Sequence, residues 1–376
     1  MHRTAAEHAA TGCTCDDANT ARARPGVGIV NEFPTRDTSV VARTPPHPVA
    51  GTYPIDGGTA ELAPDPVAGG WLLTINGTHS SHIHPDPTLL DFEYLRQMAA
   101  VIEDRHDTGS RLRVLHLGAA ACALPRCLAS RFPDARQVAV EIDAELARLV
   151  REWFDLPRAP LLRIRVGDAR AVTTSLQPAT REIVVRDAFV GDRTPRHLTT
   201  REFASAVHDV LVPGGLYLAN CGDGRRLEEA RTELATIASV FQNVMVIADP
   251  TMLKGRRTGN VVLAGSDGPL TASAALVRRL LSDPLPARVV DGPEARAFGS
   301  GVRHDVHSGT DAGVHIETDC WLHREHSGSI VQANDMRFRC TNPGIHLSAT
   351  WSYTGSSGGC GACPPTTRHT RTCFTR

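Results

Sequence analysis

Residues 112–121 have the sequence LRVLHLGAAA, an apolar run that ends at Gly118 and is followed by three alanines. A short apolar run of this kind predicts a buried strand. Small residues after a strand let backbone N–H groups approach a ligand where a helix begins, which makes Gly118 and Ala119 candidate ligand-binding residues. The turn lacks the GxGxxG spacing of dinucleotide-binding proteins, so tight strand-to-helix packing is an equally good explanation.

Segments with strand and helix patterns alternate after this run, which favours a parallel sheet. Further strands are predicted at residues 137–142, 162–166, 182–185, 216–220, 244–248 and 260–264. Helices are predicted at residues 122–132, 144–154, 200–210, 227–240 and 270–281. Right-handed crossovers would place helices on both faces of the sheet. The sequence therefore predicts an α/β fold with a doubly wound, seven-stranded, mostly parallel sheet (Rossmann-like) and a hairpin at one edge.

A smaller element precedes this domain. Asn76-Gly77, between the runs 71–75 and 78–83, is a strong hairpin signal. Asp86-Pro87 predicts the start of a helix over residues 89–105, with Tyr94 on its apolar stripe. We therefore predict four regions: a disordered segment at 1–65, the hairpin and helix at 66–110, the Rossmann-like catalytic domain at 111–285, and a low-order His- and Cys-rich tail at 300–376.

The charge balance narrows the range of functions. Forty Lys and Arg residues against 41 Asp and Glu give a net charge of -1, which removes the electrostatic argument for a nucleic-acid partner. No apolar run is long enough to cross a membrane, and residues 1–20 lack the apolar region of a secretory signal. We expect a cytoplasmic protein, in which Cys122, Cys127 and Cys221 are small buried apolar residues.

Two clusters contain metal-ligating residue types, but we expect neither to bind a metal. His79, His82 and His84 lie close together on the hairpin, where a polar surface is the simpler explanation. Cys360 and Cys363 form a CxxC pair in the tail, without a second pair at the spacing of a zinc site. The sequence therefore predicts no metal and no prosthetic group.

Acidic residues follow three of the predicted strands. Ligands of open parallel sheets bind beyond the carboxyl ends of the strands, so these residues are candidates for a site. Glu141 would accept hydrogen bonds from ribose hydroxyls, while Asp143 caps the next helix and assists. Asp168 with Ala169 would receive an adenine ring. Asp187 would face the reactive part of the ligand, where partial burial suits a general base. Caps and turn contacts are the structural alternatives for each.

Residues 70–266 resemble the spermidine synthase family, which has the class I adenosylmethionine-dependent methyltransferase fold. The matching segments lie in the hairpin, at the strand ends and in the loops between them. They are Asn76-Gly77-Thr78-His79-Ser80, 114–118, 140–143, 167–170, 185–189, 211–215 and 255–260. A hairpin and a helix before the first strand of the sheet are typical of polyamine synthases rather than of methyltransferases at large.

The resemblance implies an aminopropyltransferase of polyamine biosynthesis. Its donor would be decarboxylated S-adenosylmethionine or S-adenosylmethionine, and its acceptor a polyamine. Gly118 would lie beside the methionine part of the donor, Glu141 would hold the ribose, and Asp187 would deprotonate the amine as it attacks. Ser80, Tyr94 and Asp192 are the candidates for binding the acceptor.

Three departures from the family pattern keep other functions open. Ala119, Ala120 and Ala121 occupy the turn where the family has an acidic residue that binds the donor amine, and Val190 replaces a second Asp. Ser80 stands nearest to the family's hairpin Gln. A methyltransferase acting on a small acceptor, or a non-catalytic adenosyl-nucleoside-binding protein, remains an alternative. The partners would be small molecules, and a homodimer is left open.

Overall fold

The computed structural model describes residues 47–118 and 120–306. The predictions for residues 1–46, for Ala119 and for residues 307–376 lie outside the described residues. The CxxC pair belongs to that last range. Within the described ranges, no helix is both long and apolar enough to cross a membrane.

A four-stranded antiparallel sheet opens the described chain. Its strands follow one another in sequence order: β1 Gly51–Ile55, β2 Gly58–Pro64, β3 Trp71–Ile75 and β4 Thr78–Ile83. The predicted Asn76-Gly77 turn joins β3 and β4. Both residues have positive φ angles, 49° and 82°, as this type of two-residue hairpin turn requires.

The predicted disorder of residues 1–65 is wrong for residues 51–64, which form β1 and β2. Ala60 and Leu62 of β2 are buried against Leu73 of β3. In β2 only two buried apolar residues, Ala60 and Leu62, alternate with other residues, and the surrounding segment is rich in Pro and Thr. The sequence pattern was therefore too weak to predict the strand. The sheet becomes stable because β3 supplies a partner from the next hairpin.

The first helix, α1 Glu93–Arg105, begins four residues later than predicted. The Asp86 carboxylate accepts hydrogen bonds from the N–H and the hydroxyl of Thr88, and the Asp86 carbonyl accepts from Leu89 N–H. These contacts form a separate turn that does not continue into the helix. Asp86 therefore acts as a capping residue, but it caps this turn and not the helix.

The main sheet has eight strands in the order β12-β10-β11-β9-β8-β5-β6-β7. Neighbouring pairs among β5 to β9 run parallel, whereas β10, β11 and β12 pair antiparallel. The strands are β5 Arg113–Leu117, β6 Arg136–Glu141, β7 Leu162–Val166, β8 Arg181–Arg186, β9 Leu211–Asp223, β10 Asn243–Ala248, β11 Gly259–Ser266 and β12 Arg288–Asp291. The fold is thus the predicted doubly wound α/β sheet with an antiparallel edge.

The predicted count of seven strands is wrong by one. The additional strand β12 has only four residues and pairs with β10, about forty residues earlier in the chain. A run as short as Arg288–Asp291 gives no reliable periodic signal, so only its distant partner reveals it. The prediction of an antiparallel hairpin at this edge is confirmed by β10 and β11.

Helices cover both faces of the sheet. They are α2 Ala123–Arg131, α3 Ala144–Trp153, α4 Ala169–Thr174, α5 Arg201–Val210, α6 Glu228–Ala238, α7 Pro250–Leu253, α8 Ala274–Leu281 and α9 Gly292–Phe298. The short helices α4, α7 and α9 were not predicted. The three cysteines of this region, Cys122, Cys127 and Cys221, are buried as predicted.

The N-terminal sheet is joined to the main sheet at the start of α3. The Asp143 carboxylate accepts a hydrogen bond from Gly57 N–H at 2.6 Å, and the Asp56 carboxylate accepts one from Ala144 N–H at 2.8 Å. The rings of Tyr53 and Trp153 pack against each other, with centroids 4.8 Å apart and an interplanar angle of 60°. These contacts join β1 and the turn between β1 and β2 to α3, which follows β6 of the main sheet.

Candidate active site

A cavity of about 780 Å³ lies at the carboxyl ends of the central strands. Residues that follow β5, β6 and β8 form its floor, and β4 and α1 contribute its roof. Its volume falls in the usual range for a site that encloses a small molecule. The cavity is where the topology of an open parallel sheet predicts a ligand.

Gly118 lies at the tightest point of the floor. Its φ is +89°, and a Cβ added there would lie 2.2 Å from the carbonyl oxygen of Asp187. The strand ends are this close because Asp187 N–H donates a hydrogen bond to Leu117 O at 2.8 Å. Only glycine permits both the backbone conformation and the approach. Ala120 also lines the cavity, while the adjacent Ala121 is buried in the core.

Glu141, at the end of β6, lines the cavity as predicted. Its carboxylate accepts hydrogen bonds from Ala120 N–H and Asp143 N–H, each at 3.1 Å. These contacts orient the carboxylate across the turn that follows β5. Glu141 is only 8% exposed, so its carboxylate lies in a largely enclosed part of the cavity wall.

Asp143 has a structural role, which corrects its assignment as a donor-binding residue. One carboxylate oxygen caps α3 through Leu146 N–H at 2.7 Å, and the other accepts from Gly57 N–H. The side chain is buried and does not line the cavity. The predicted cap is confirmed, and the second contact fixes the N-terminal sheet.

Asp168 and Ala169 do not line the cavity. They lie beside it, at a position we call the rim, because Gly167 before them is hydrogen-bonded to Glu141 of the wall. The Asp168 carboxylate caps α4 through Ala171 N–H at 2.8 Å and contacts His197 Nε2 at 3.1 Å. Its side chain is 39% exposed. Burial would raise the pKa of Asp168, but the hydrogen bonds from Ala171 N–H and His197 outweigh it and hold the pKa below the ordinary value.

Asp187, at the end of β8, lies in the centre of the cavity wall. One carboxylate oxygen accepts from Asn220 Nδ2 at 2.9 Å, and the other accepts from the Tyr94 hydroxyl at 3.1 Å. Burial raises the pKa of Asp187 above its ordinary value, although both hydrogen bonds act in the opposite direction. A carboxylate with a raised pKa is a stronger base, so this position suits proton transfer.

Tyr94 and Asn220 hold Asp187 from opposite sides. Tyr94 is buried on α1, and the pKa of its hydroxyl is raised well above 10 by burial and by the charge of Asp187. Asn220 on β9 was missed by the sequence analysis. Its signal was a polar residue inside the otherwise apolar strand 216–221, next to β8 in the sheet. Its Oδ1 is enclosed and has no hydrogen-bond partner within the described part of the chain.

Several acidic side chains line the cavity in addition to Glu141 and Asp187. The predicted acceptor-binding residues Ser80 and Asp192 both line the cavity. Further acidic side chains that the sequence analysis did not select also line it: Glu93, Asp223 and Glu229. This concentration of negative charge suits a cationic molecule.

A buried ion pair anchors the strand that carries Asp187. The side chain of Arg186 is fully enclosed and pairs with Glu233 of α6. It also donates a hydrogen bond to the hydroxyl of Thr194 at 2.5 Å. Because Thr194 follows the segment that contains Asp192, Arg186 ties that segment to the core.

The histidines of the hairpin do not form one polar face. His79 lines the cavity, whereas His82 is buried with Asp65 3.6 Å away. The prediction of an exposed polar surface is therefore wrong for His82. Among the described residues, no group of three or more His, Cys, Asp or Glu side chains has a geometry that could hold a metal ion.

Comparison with known proteins identifies relatives with two chemistries. The crystal structure of a probable spermidine synthase from Corynebacterium glutamicum is 47% identical, with a TM-score of 0.66 over 71% of this chain and 100% of that chain. The polyamine aminopropyltransferase of Vibrio vulnificus is 30% identical over 131 residues, 34% of this chain and 43% of the relative. The N-terminal histidine N-methyltransferase of Emericella nidulans is 32% identical over 143 residues, 36% of this chain and 24% of the relative.

The chain thus spans less than half the length of these two curated relatives. No protein-family model matches it. The likeness to the Corynebacterium glutamicum protein, in contrast, extends over the whole of that chain. The chain therefore belongs to the spermidine synthase family of transferases, which has the class I methyltransferase fold.

Proposed function

We propose that this protein transfers an aminopropyl group from decarboxylated S-adenosylmethionine to a polyamine. The observation that carries the proposal is Asp187, a carboxylate with a raised pKa in the wall of the cavity, held by Tyr94 and Asn220. The names of two relatives, a polyamine aminopropyltransferase and a probable spermidine synthase, support the same chemistry.

The donor would lie across three neighbouring strands. Glu141 would accept hydrogen bonds from the ribose hydroxyls, and the backbone at Gly118 and Ala120 would contact the methionine-derived chain. We retain Asp168 with Ala169 as the residues that would meet adenine, at the open rim next to Glu141. Gly167 N–H donates to Glu141 O at 2.9 Å, which keeps the two strand ends adjacent.

The acceptor would bind against the acidic part of the lining, where Glu93, Asp192 and Asp223 attract a cationic amine. The attacking nitrogen forms a bond to the carbon next to the sulfonium, and the carbon–sulfur bond breaks. Methylthioadenosine leaves as a neutral thioether, and the proton of the attacking amine moves to Asp187. An amine is nucleophilic only when it gives up this proton, so the base supplies what the reaction needs.

The test is to incubate the purified protein with decarboxylated S-adenosylmethionine and a panel of polyamines, and to identify products by mass spectrometry. We expect methylthioadenosine and an acceptor that has gained one aminopropyl group. Absence of any adenosyl-compound binding in calorimetry would contradict the proposal. Binding without turnover of any acceptor would instead support a non-catalytic nucleoside-binding role.

A second candidate, a methyltransferase that uses intact S-adenosylmethionine, is favoured by one observation. The turn after β5 has three alanines after Gly118, and the fully buried Ala121 offers no carboxylate for the donor amine. One source of repulsion for the carboxylate of intact S-adenosylmethionine is therefore absent from this turn. Formation of S-adenosylhomocysteine in the same assay would identify this reaction.

A further inference from the structure

His116 is a polar residue of the cavity floor that the sequence analysis did not select. It lies on β5, two residues before Gly118, and lines the cavity although it is only 2% exposed. The neighbouring part of the floor is formed by Ala123, Leu124 and Pro125 of α2. Residues 118–131 contain no Asp or Glu, so no carboxylate from this segment can face a donor amine.

Hydrogen bonds assign the tautomer of His116. The Nε2 of Gln137 donates to Pro125 O at 2.9 Å, so the Oε1 of Gln137 is the atom that faces His116 Nε2, also at 2.9 Å. An amide oxygen only accepts, so Nε2 of His116 carries the proton and Nδ1 carries the lone pair. Burial lowers the pKa of His116 to about 4, against the opposing effect of Gln137, which keeps the ring neutral.

The Nδ1 atom is accessible from the cavity. It has no hydrogen-bond partner among the described residues. Unlike the two ring nitrogens of His82, which also lack partners, it is not fully enclosed by protein atoms. Since His116 lines the cavity, its open acceptor faces the space that a ligand would occupy. An acceptor that is open to the cavity can take a hydrogen bond from a ligand bound there.

The strand order sets what this acceptor would meet. In the sheet, β5 lies between β6, which carries Glu141, and β8, which Asp187 follows. A donor whose ribose is held at Glu141 and whose reacting carbon reaches Asp187 must cross the end of β5. We propose that His116 is a donor-binding residue whose Nδ1 accepts a hydrogen bond from the terminal ammonium group of the adenosyl donor. This inference rests on the proposed function.

The role of His116 also explains how the donor amine could be bound although the turn after β5 lacks the acidic residue that binds it elsewhere in the family. Decarboxylated and intact S-adenosylmethionine both end in an ammonium group, and a neutral imidazole accepts from it without carrying a charge of its own. Unlike a carboxylate, it does not repel the carboxylate of the intact donor. His116 thus recognises the amine and leaves the choice between the two donors to other residues.

The experiment compares the affinities of three ligands by calorimetry: methylthioadenosine, which has no amine, decarboxylated S-adenosylmethionine and S-adenosylmethionine. In His116→Phe, which fills the volume without an acceptor, we expect about tenfold weaker binding of both amine-bearing ligands and less than a twofold change for methylthioadenosine. His116→Asn retains an acceptor oxygen near the position of Nδ1, so it should keep most of the preference for the amine-bearing ligands.

The outcomes are separable. Equal weakening of all three ligands by His116→Phe, or no change in any of them, would overturn the role of His116 while leaving the proposed function intact. Failure of the unsubstituted protein to bind any of the three ligands would overturn the proposed function and this inference with it. If His116→Phe fails to fold, His116→Leu removes the acceptor with a smaller side chain. The same comparison then applies, between the loss of affinity for the amine-bearing ligands and the loss for methylthioadenosine.

Discussion

Asp168 and Asp187 both lie at the carboxyl ends of parallel strands, but they differ in exposure, in hydrogen-bond partners and in the direction of their pKa shifts. Each follows a strand of the parallel sheet and precedes an alanine. Asp168 is 39% exposed, caps a helix and has a lowered pKa, whereas Asp187 is held in the cavity wall and has a raised pKa. The difference shows that the pKa of a carboxylate at a strand end is raised only where other elements cover it.

The two aspartates differ in burial because their strands hold different positions in the sheet. Asp187 follows β8, which lies in the middle of the sheet, under Tyr94 of α1 and beside Asn220 of β9. Asp168 follows β7, the last strand at one edge, where the nearest side-chain partner is the exposed His197. Four predictions test the contrast, beginning with the largest expected effect.

Asp187→Asn is expected to lower turnover by about a hundredfold or more, because the amide cannot accept the proton of the attacking amine. The affinity for methylthioadenosine, measured by calorimetry, should change by less than about threefold. The matched control is Asp168→Asn, which retains the helix cap and should leave turnover at saturating donor within about threefold. Equal losses of turnover in both variants would remove the distinction between the two carboxylates.

Glu141→Ala is expected to weaken binding of methylthioadenosine by about 1–3 kcal/mol, since it removes charge-assisted hydrogen bonds in an enclosed position. Asp168→Ala, measured in the same titration, should cost less because its carboxylate is partly exposed to solvent. If Asp168→Ala weakens binding more than Glu141→Ala does, the rim contributes more to the nucleoside site than the cavity wall.

The two carboxylates should affect stability in opposite directions as pH changes. The raised pKa of Asp187 means that its ionisation opposes folding, so Asp187→Asn should raise the unfolding midpoint at neutral pH, with the gain disappearing below about pH 3.8. The lowered pKa of Asp168 contributes stability above its ordinary pKa of 3.8, and the contribution is lost as pH falls further.

Asp168→Ala should therefore cost up to about 1 kcal/mol at pH 7, including the lost cap of α4. Thermal unfolding of both variants between pH 3 and pH 8 measures these effects. A lower midpoint for Asp187→Asn at pH 7 would mean that its contacts with Tyr94 and Asn220 stabilise the fold more than its buried charge opposes it.

Tyr94→Phe is expected to have the smallest effect, a reduction in turnover of about threefold. The hydroxyl stabilises the ionised form of Asp187, so its removal should raise the pKa of Asp187 further. The acid limb of the pH profile of kcat/KM should therefore move to higher pH. A shift to lower pH would mean that Tyr94 does not donate this hydrogen bond to Asp187 in the active enzyme. Tyr53→Phe is the control, because it removes a hydroxyl that donates to Val49 O, at a residue that does not line the cavity.

Much of this architecture could be predicted from local pattern. The apolar run at 112–117 became a strand one residue shorter than predicted, the run at 162–166 became a strand at the predicted residues, and Asn76-Gly77 became the predicted hairpin turn. The strands at 51–64 and 288–291 were missed because each is short and is stabilised by a partner outside its own segment. The start of α1 was misplaced because Asp86 caps a turn that chemically resembles a helix start.

The candidate site divides in the same way. Glu141 and Asp187 could be found because acidic residues at the ends of apolar strands are visible in the sequence. Asn220 and His116 could not be selected, because a polar residue inside a predicted strand is as consistent with the protein core as with a ligand site. Their importance depends on Asp187 and Gln137, which lie 33 and 21 residues away in sequence.

The amino-acid order alone determined the α/β class, the positions of most strands and helices, and the set of carboxylates at one edge of the sheet, because periodicity and turn chemistry act between near neighbours. The three-dimensional arrangement decided which carboxylate is covered, which serves as a cap and which histidine faces the cavity. Burial and pKa depend on groups that approach from distant segments, and strand order brings those groups together in a way that no local pattern encodes.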